Sequence, residues 1–227
     1  MNILDLFAGA GGFSLGCHFA GFKTLYAIEE DKFACKTFKK NFPKTEVLQN
    51  STLDFSDKVI KSKFKNVDVI IGGPPCQGFS VVGPKQYGKK DKRNNLVYEM
   101  YRYTSILEPE VCIIENVRGL VQKEGQNKLF KNLELKFNKI GYYLKYFILD
   151  SKDFGVPQSR KRVFCFFIKN LNIFKINIKK NSIVNCFDAI SDLMKISTSN
   201  NKKEIEYSCK PKNAYQTLMR VKSKKIF

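Results

Sequence analysis

Along the first 168 residues, short apolar runs alternate with longer amphipathic ones. This is the pattern of a parallel sheet whose strands are joined by crossover helices. "NILDLF" (2–7) is an apolar strand ending in a glycine cluster, and a helix is expected from about Gly12 to Ala20. "TLYAIE" (24–29) is the second strand, followed by a helix over 31–42 that Asp31 is placed to cap. "TEVLQ" (45–49) reads as a shorter strand. "VDVIIGG" (67–73) and "EVCIIEN" (110–116) are continuous apolar runs, as strands covered on both faces should be. Between them "NLVYEMYRYTSIL" (95–107) is helical and stopped by Pro109, and "NKLFKNLELKFNKI" (127–140) keeps helical spacing up to Gly141. "YYLKYFILD" (142–150) and "RVFCFFIK" (162–169) are expected as an antiparallel pair at one edge. The fold class is therefore α/β: a Rossmann-like, doubly wound, mostly parallel sheet with an antiparallel edge pair. After Asn170 the pattern weakens into a Lys- and Asn-rich segment with one short helix near 185–194, so the domain boundary is expected near residue 168.

Composition narrows the function classes. At 227 residues the chain can bury one sizeable α/β core. It has no apolar run long enough for a membrane span, and "MNILDLFAGAGG" lacks the basic start of a signal peptide, so no membrane and a cytoplasmic location are expected. The seven cysteines are scattered singly, which argues for a reducing compartment and against a disulfide framework or a metal site. The only histidine is His18, which nearly excludes chemistry built on a histidine base. The formal charge of +19, from 40 basic and 21 acidic residues, favours a polyanionic partner, nucleic acid first. A lysine-rich proteome would give part of this excess anyway. Clustering restores the point: "KQYGKKDKR" (85–93) carries five basic residues and one acid, and 169–227 carries thirteen basic and four acidic.

Candidate chemistry sits at the ends of the expected strands. In doubly wound sheets ligands bind beyond the carboxyl ends, where here the first loop is "DLFAGAGGFSLG" (5–16). Gly9 and Gly11 allow a tight turn and close approach, Gly12 opens a helix, and Glu29 ends the second strand where it can accept bonds from ribose hydroxyls. Ser14 occupies the third glycine place of a dinucleotide fingerprint, so a mononucleoside cofactor such as S-adenosylmethionine fits better. A glycine turn of this kind also serves a purely structural purpose. Further on, "GGPPCQGFS" (72–80) mounts Cys76 behind Pro74 and Pro75, whose fixed φ and missing N–H groups make a stiff turn. A thiolate is the nucleophile, and the basic residues between Lys85 and Arg93 supply positive potential to favour it. Unpaired cysteines are commonly buried packing groups, which suits Cys17, Cys35, Cys112 and Cys165 within apolar patterns. It does not suit Cys76 among Pro, Gln, Gly and Ser. "ENV" (115–117) puts Glu115 on the same rim, since neighbouring strand tips lie roughly 5–10 Å apart. In "FGVPQSRKRVF" (154–164), Gln158, Arg160 and Arg162 alternate, which would place them on one face of a strand; a solvated strand shows the same alternation.

Taken in this order, "DLFAGAGGFSLG", "GGPPCQGFS", "ENV" and "QSRKR" closely resemble the motifs of the DNA (cytosine-5)-methyltransferases over about residues 1–168. The resemblance implies a class I methyltransferase fold and methyl transfer from S-adenosylmethionine to carbon 5 of a cytosine flipped out of double-stranded DNA, as in a restriction-modification system. It implies that Cys76 attacks carbon 6, that Glu115 holds or protonates ring nitrogen 3, and that Arg162 binds the base oxygen with Gln158 and Arg160 bracing the site. It also implies that Phe7, Gly9, Ala10, Gly12, Glu29, Pro75 and Leu96 line the cofactor site. The loop from Ser80 to Asn95 resembles one that closes over DNA, with Ser80, Lys89, Lys90 and Arg93 against the phosphates.

Departures from the family pattern are as instructive. An aromatic that often follows the ribose-binding acid is Glu30 here. The acid expected after the third strand has no clear match; Ser51 stands at its place and Asp54 is a possible substitute. The resemblance makes residues 169–227 a basic linker or the start of an incomplete target-recognition region, with no closing segment after it. The expectation is an N-terminal catalytic part, active alone or completed by a second polypeptide, or alternatively a catalytically silent nucleic-acid-binding subunit. An RNA-directed enzyme of similar motifs is a weaker third reading, because nothing in these residues selects RNA.

Overall fold

The computed structural model describes residues 1–75, 96–121, 128–171, 177–193 and 209–220, with the backbone of 205–206 and 225–226. Strands β1 (Asn2–Leu6), β2 (Lys23–Glu29), β3 (Glu46–Gln49), β4 (Val69–Gly72) and β5 (Val111–Val117) alternate with helices α1 (Gly12–Phe19), α2 (Lys32–Asn41), α3 (Asp57–Lys63) and α4 (Val97–Leu107). Helix α5 (Lys128–Lys139) then leads into β6 (Tyr143–Asp150) and β7 (Lys161–Ile168). The seven strands form one sheet in the order β3-β2-β1-β4-β5-β7-β6. The first five are parallel to one another, and β7 runs antiparallel to β5. The expected mostly parallel sheet with a reversed edge is what forms.

Local chemistry explains the boundaries. The Asp31 carboxylate accepts a 2.7 Å hydrogen bond from the Ala34 amide, capping α2. Helix α4 ends when Glu108 turns left-handed (φ 49°), because Pro109 disfavours a helical residue before it. Helix α3 has no counterpart in the sequence reading. Its two turns carry too little periodicity to register, yet Ser56 caps it and Ile60 is wholly buried.

The core covers both faces of the sheet. On one, Leu4, Leu6, Ile70, Ile114, Cys165 and Phe167 pack with Met100 and Tyr103 of α4 and Leu133 and Phe137 of α5. The Phe137 and Phe167 rings stack at 3.7 Å. On the other, Ile3, Val69 and Ile71 pack with Phe13 and Cys17 of α1. At the end of β4, a Cβ on Gly72 would lie 2.6 Å from the Leu6 carbonyl oxygen and 2.7 Å from the Met100 sulfur. Only glycine lets β4 finish this close to β1 beneath α4.

The chain divides into two compact units, Met1–Ile148 with Arg162–Ile176 and Leu149–Lys161 with Asn177–Phe227. In the second, α6 (Cys186–Ile190) and α7 (Ala214–Met219) are joined by polar contacts. Gln216 donates to the Asp188 carbonyl at 2.7 Å and to Ser191 Oγ at 3.0 Å, and the Arg220 guanidinium pairs with the buried Asp192 carboxylate. Among the described residues no helix is long and apolar enough to cross a membrane, and no group of side chains is arranged to hold a metal ion.

Candidate active site

Strand order reverses between β1 and β4, so the chain leaves their carboxyl ends toward opposite sides of the sheet and a crevice forms there, the expected ligand position in such a sheet. A cleft of about 260 Å³ lies there, lined by Phe7 after β1, Ile28 to Glu30 at the end of β2, and Asn50 and Thr52 after β3. Gly73 and Pro75 after β4 and Leu96 before α4 complete it. Of the expected cofactor residues, Phe7, Glu29, Pro75 and Leu96 line this cleft; Gly9, Ala10 and Gly12 are not among its lining residues.

The glycine loop is built around Glu29. Its Oε2 accepts the Gly9 amide and its Oε1 accepts the Asp31 amide, both at 2.8 Å. Each carboxylate oxygen keeps a second acceptor site for a hydroxyl donor. Phe7 is held at φ 59°, a left-handed conformation rare for an aromatic residue, of the kind that collects at ligand-binding turns. Gly11 (φ 95°) is pressed against Phe38 of α2 and Phe42 just after it, so a side chain there would collide with both rings.

Ser14, read from sequence as a missing glycine, has a different task. Its hydroxyl donates to the buried Asp5 carboxylate at 2.6 Å and accepts from Thr24 at 3.0 Å. Burial pushes the Asp5 carboxyl up to about 7; the Ser14 bond opposes this and the Glu29 charge adds to it. The native carboxyl then holds a proton that the unfolded chain has already lost, so this group removes stability as pH rises. The thermal midpoint is expected to fall between about pH 4 and about pH 7 and level off above that. Asp5→Asn should flatten this part of the profile in a melting series, and an unchanged slope would refute it.

The far wall of the cleft is held from α4. The Arg102 guanidinium donates to the carbonyls of Thr52 (3.1 Å) and Phe55 (3.0 Å), and pairs with Glu99 and Asp57. Tyr103 also donates to the Thr52 carbonyl, at 2.9 Å. Ser51 and Asp54 cap this turn reciprocally, with the Ser51 amide donating to Asp54 at 2.9 Å. Asp54 is thus engaged locally and does not line the cleft; Asn50 and the exposed Glu30 do. Asn50, Thr52 and Arg102 were not legible as site residues, because a short turn between weak elements carries no motif.

At the end of β5, Glu115 Oε1 lies 3.0 Å from Nε of Arg162, both side chains about a quarter exposed. The antiparallel register sets Arg162 opposite Val117, so the amino end of β7 reaches the same rim as the carboxyl end of β5. A Cβ on Gly73 would meet Glu115 Oε2 at 3.3 Å, so the β4 terminus and this carboxylate are neighbours. Asn116, missed by sequence reading, donates from Nδ2 to the Pro74 carbonyl at 3.1 Å.

Gln158 and Arg160 do not share a strand face with Arg162. The strand begins at Lys161, and the two exposed residues lie in the turn before it. Asp150 organises that turn by accepting from the Arg160 amide and Ser159 Oγ, both at 2.9 Å, while Ser151 Oγ donates to the Gln158 carbonyl. The alternation required extended backbone throughout, and these side-chain-to-backbone bonds replace it with a turn. Cys76, Ser80, Lys89, Lys90 and Arg93, and the whole loop 80–95, lie outside the described residues.

The cysteines expected to be packing groups behave as such. Cys35, Cys112 and Cys165 are buried and Cys17 half-buried. Burial pushes the thiols of Cys112 and Cys165 up to about 12 and that of Cys17 to about 11, so they stay protonated and unreactive near neutrality.

The chain has relatives among known proteins. The family model described as C-5 cytosine-specific DNA methylase matches residues 1–226. The Type II methyltransferase M.DdeI of Desulfomicrobium norvegicum is 37% identical over 231 residues, covering 97% of this chain and 55% of its own length. The Type II methyltransferase M1.HphI of Haemophilus parahaemolyticus is 39% identical over 168 residues, covering 72% of this chain and 44% of its own. A crystal structure from E. coli, described as a DNA modification methyltransferase encoded within a prophage, superposes with a TM-score of 0.76 at 31% identity. It covers 96% of this chain and 63% of its own. The chain spans about half the length of these curated relatives.

Proposed function

We propose, from the premise that the chain belongs to the C-5 cytosine-specific DNA methylase family, that it methylates carbon 5 of cytosine in double-stranded DNA within a restriction-modification system. The cleft over β1 to β4 would hold S-adenosylmethionine: Glu29 takes the ribose hydroxyls, and Phe7, Ile28, Pro75 and Leu96 supply apolar walls for a purine. Acid and apolar surface together suit a nucleoside with a cationic sulfur. When bound, that cofactor supplies an electrophilic methyl group.

The chain's own residues make the cytosine reactive. The Cys76 thiolate forms a bond to ring carbon 6, and Glu115 gives or shares a proton at nitrogen 3 so that the displaced electron pair gathers on carbon 5. Arg162 holds the Glu115 carboxylate in place and reaches the base oxygen. After carbon 5 is substituted it loses its proton, the sulfur–carbon bond breaks, and the thiolate and an aromatic ring return. Gln158 and Arg160 brace the turn leading to β7. Ser80, Lys89, Lys90 and Arg93 meet phosphates, and residues after Asn170 begin a target-recognition region.

The observation that carries this reading is the meeting of Glu115, Arg162 and Gly73 at one rim, Gly73 standing three residues before Cys76 in the sequence. The test is transfer of a labelled methyl group to DNA of mixed sequence, with position determined by sequencing of the product. Label at cytosine carbon 5 is expected; label on adenine or on exocyclic nitrogen would overturn it. A second reading is a catalytically silent nucleic-acid-binding subunit that needs a second chain. The same assay with and without a supplied recognition polypeptide separates the two.

A further inference from the structure

The turn that follows β3 closes one side of the cleft, and it has little of its own to hold it in place. Asn50 and Thr52 line the cleft, while Leu53 beside them is 61% exposed, so its packing does little to fix the turn. The bonds inside the turn, Ser51 with Asp54 and Asn50 Nδ2 to Asp54 at 3.3 Å, set its shape and not its place. Its start is tied to β2, where the Asn50 amide donates to the Glu29 carbonyl at 3.1 Å. Its far end is tied to α4. The Thr52 carbonyl accepts from Arg102 Nη2 at 3.1 Å and from Tyr103 at 2.9 Å, which fills both of its acceptor sites. Arg102 Nη1 donates to the Phe55 carbonyl at 3.0 Å.

Every N–H of the Arg102 guanidinium is committed. Nη1 also reaches Asp57 at 2.8 Å, and Nε and Nη2 meet Glu99 at 3.0 and 2.6 Å. The two acids act differently. The Asp57 side chain is 72% exposed, so its pair is screened and contributes little. Glu99 is buried one turn earlier on the same helix, and it orients the guanidinium plane so that both Nη groups face the turn. Leu96, another residue of the cleft wall, stands at the start of this helix. One helix therefore carries a wall residue and the donors that place a second wall. We propose that Arg102 is a positioning residue for the cofactor: with Tyr103 it holds the Thr52 turn at the spacing the cleft needs before a ligand arrives. This rests on the reading of the cleft as the S-adenosylmethionine site. A turn freed to sample other placements binds more weakly, in proportion to the time it spends away from the competent one. The chemical step is untouched once the cofactor is bound. Lysine cannot replace the fork, because a point charge lacks the planar donors that span two carbonyls and a carboxylate.

The test is calorimetric binding of S-adenosylhomocysteine and S-adenosylmethionine to the full chain, with amide hydrogen exchange of the ligand-free protein beside it. Arg102→Lys should weaken both ligands about tenfold, and Tyr103→Phe, which removes one donor and keeps the ring, about threefold. Exchange over 51–55 should quicken about tenfold in Arg102→Lys, while the amides of β4 and β5 keep their parent rates. In methyl transfer the loss should appear in KM for S-adenosylmethionine, with kcat within about twofold of the parent. Thr104→Val controls for general loosening of α4. Its hydroxyl is buried in the same helix and donates to the Met100 carbonyl at 2.7 Å, away from the turn. It should lower the melting midpoint and keep both affinities. Affinities within about twofold of the parent in both Arg102→Lys and Tyr103→Phe overturn the inference, as does an equal loss in Thr104→Val. Should Arg102→Lys fail to fold, Tyr103→Phe decides alone. A parent chain that binds neither ligand refutes the cofactor reading itself, and this inference with it, whatever the exchange rates show.

Discussion

Cys76→Ala is expected to abolish covalent capture on duplex DNA carrying 5-fluorocytosine, and to lower methyl transfer by at least about 1,000-fold. Fluorine at carbon 5 cannot leave as a proton, so once sulfur has added at carbon 6 and carbon 5 has taken the methyl group, elimination is blocked and protein and DNA stay joined. Four of the other cysteines are poor substitutes: Cys35, Cys112 and Cys165 are buried, and the Cys17 thiol is raised to about 11 by burial. Gel-resolved adduct and labelled-methyl incorporation are the measurements. An adduct that survives the substitution would refute the assignment of the nucleophile.

Glu115→Gln is expected to cost about 100- to 1,000-fold in methyl transfer while leaving the melting midpoint nearly in place. The separation follows from magnitudes. Glu115 and Arg162 are each about a quarter exposed, so their 3.0 Å pair is screened by solvent and contributes about 1 kcal/mol or less to stability. An amide of the same shape still fits beside Gly73. It loses the proton that a carboxyl can deliver to ring nitrogen 3, along with the charge that orients Arg162. A rate within about threefold of the parent, in protein shown to be folded by its melting curve, would remove Glu115 from the chemistry. A large fall in the melting midpoint together with the rate would make its role structural instead.

Much of this molecule was legible because its strands are short, apolar and followed by motif loops. The runs at 67–73 and 110–116 became β4 and β5 within two residues, since buried parallel strands tolerate few polar positions. Glu29 and Glu115 were legible for a related reason: an acid ending a buried strand has left the core and faces the ligand rim. Where the reading failed, short-range polar bonds had overridden periodicity. Gln158 and Arg160 alternate with Arg162 in sequence, yet Asp150 and Ser151 capture the intervening backbone and end the alternation at Lys161. Ser14 looked like a lost glycine until Asp5 was seen beneath it.

The order of strands and helices, the glycine turn, and the identity of the thiol, the carboxyl and the arginine are properties of the sequence, because each rests on residue type and local spacing. What meets what is a property of the tertiary structure. Arg162 reaches Glu115 because β7 reverses direction, Arg102 holds the cleft wall from 50 residues away, and Asn116 ties down a turn 42 residues earlier. These contacts depend on strand register and on the satisfaction of buried donors and acceptors. Both are settled only when distant segments pack, and no local pattern records them.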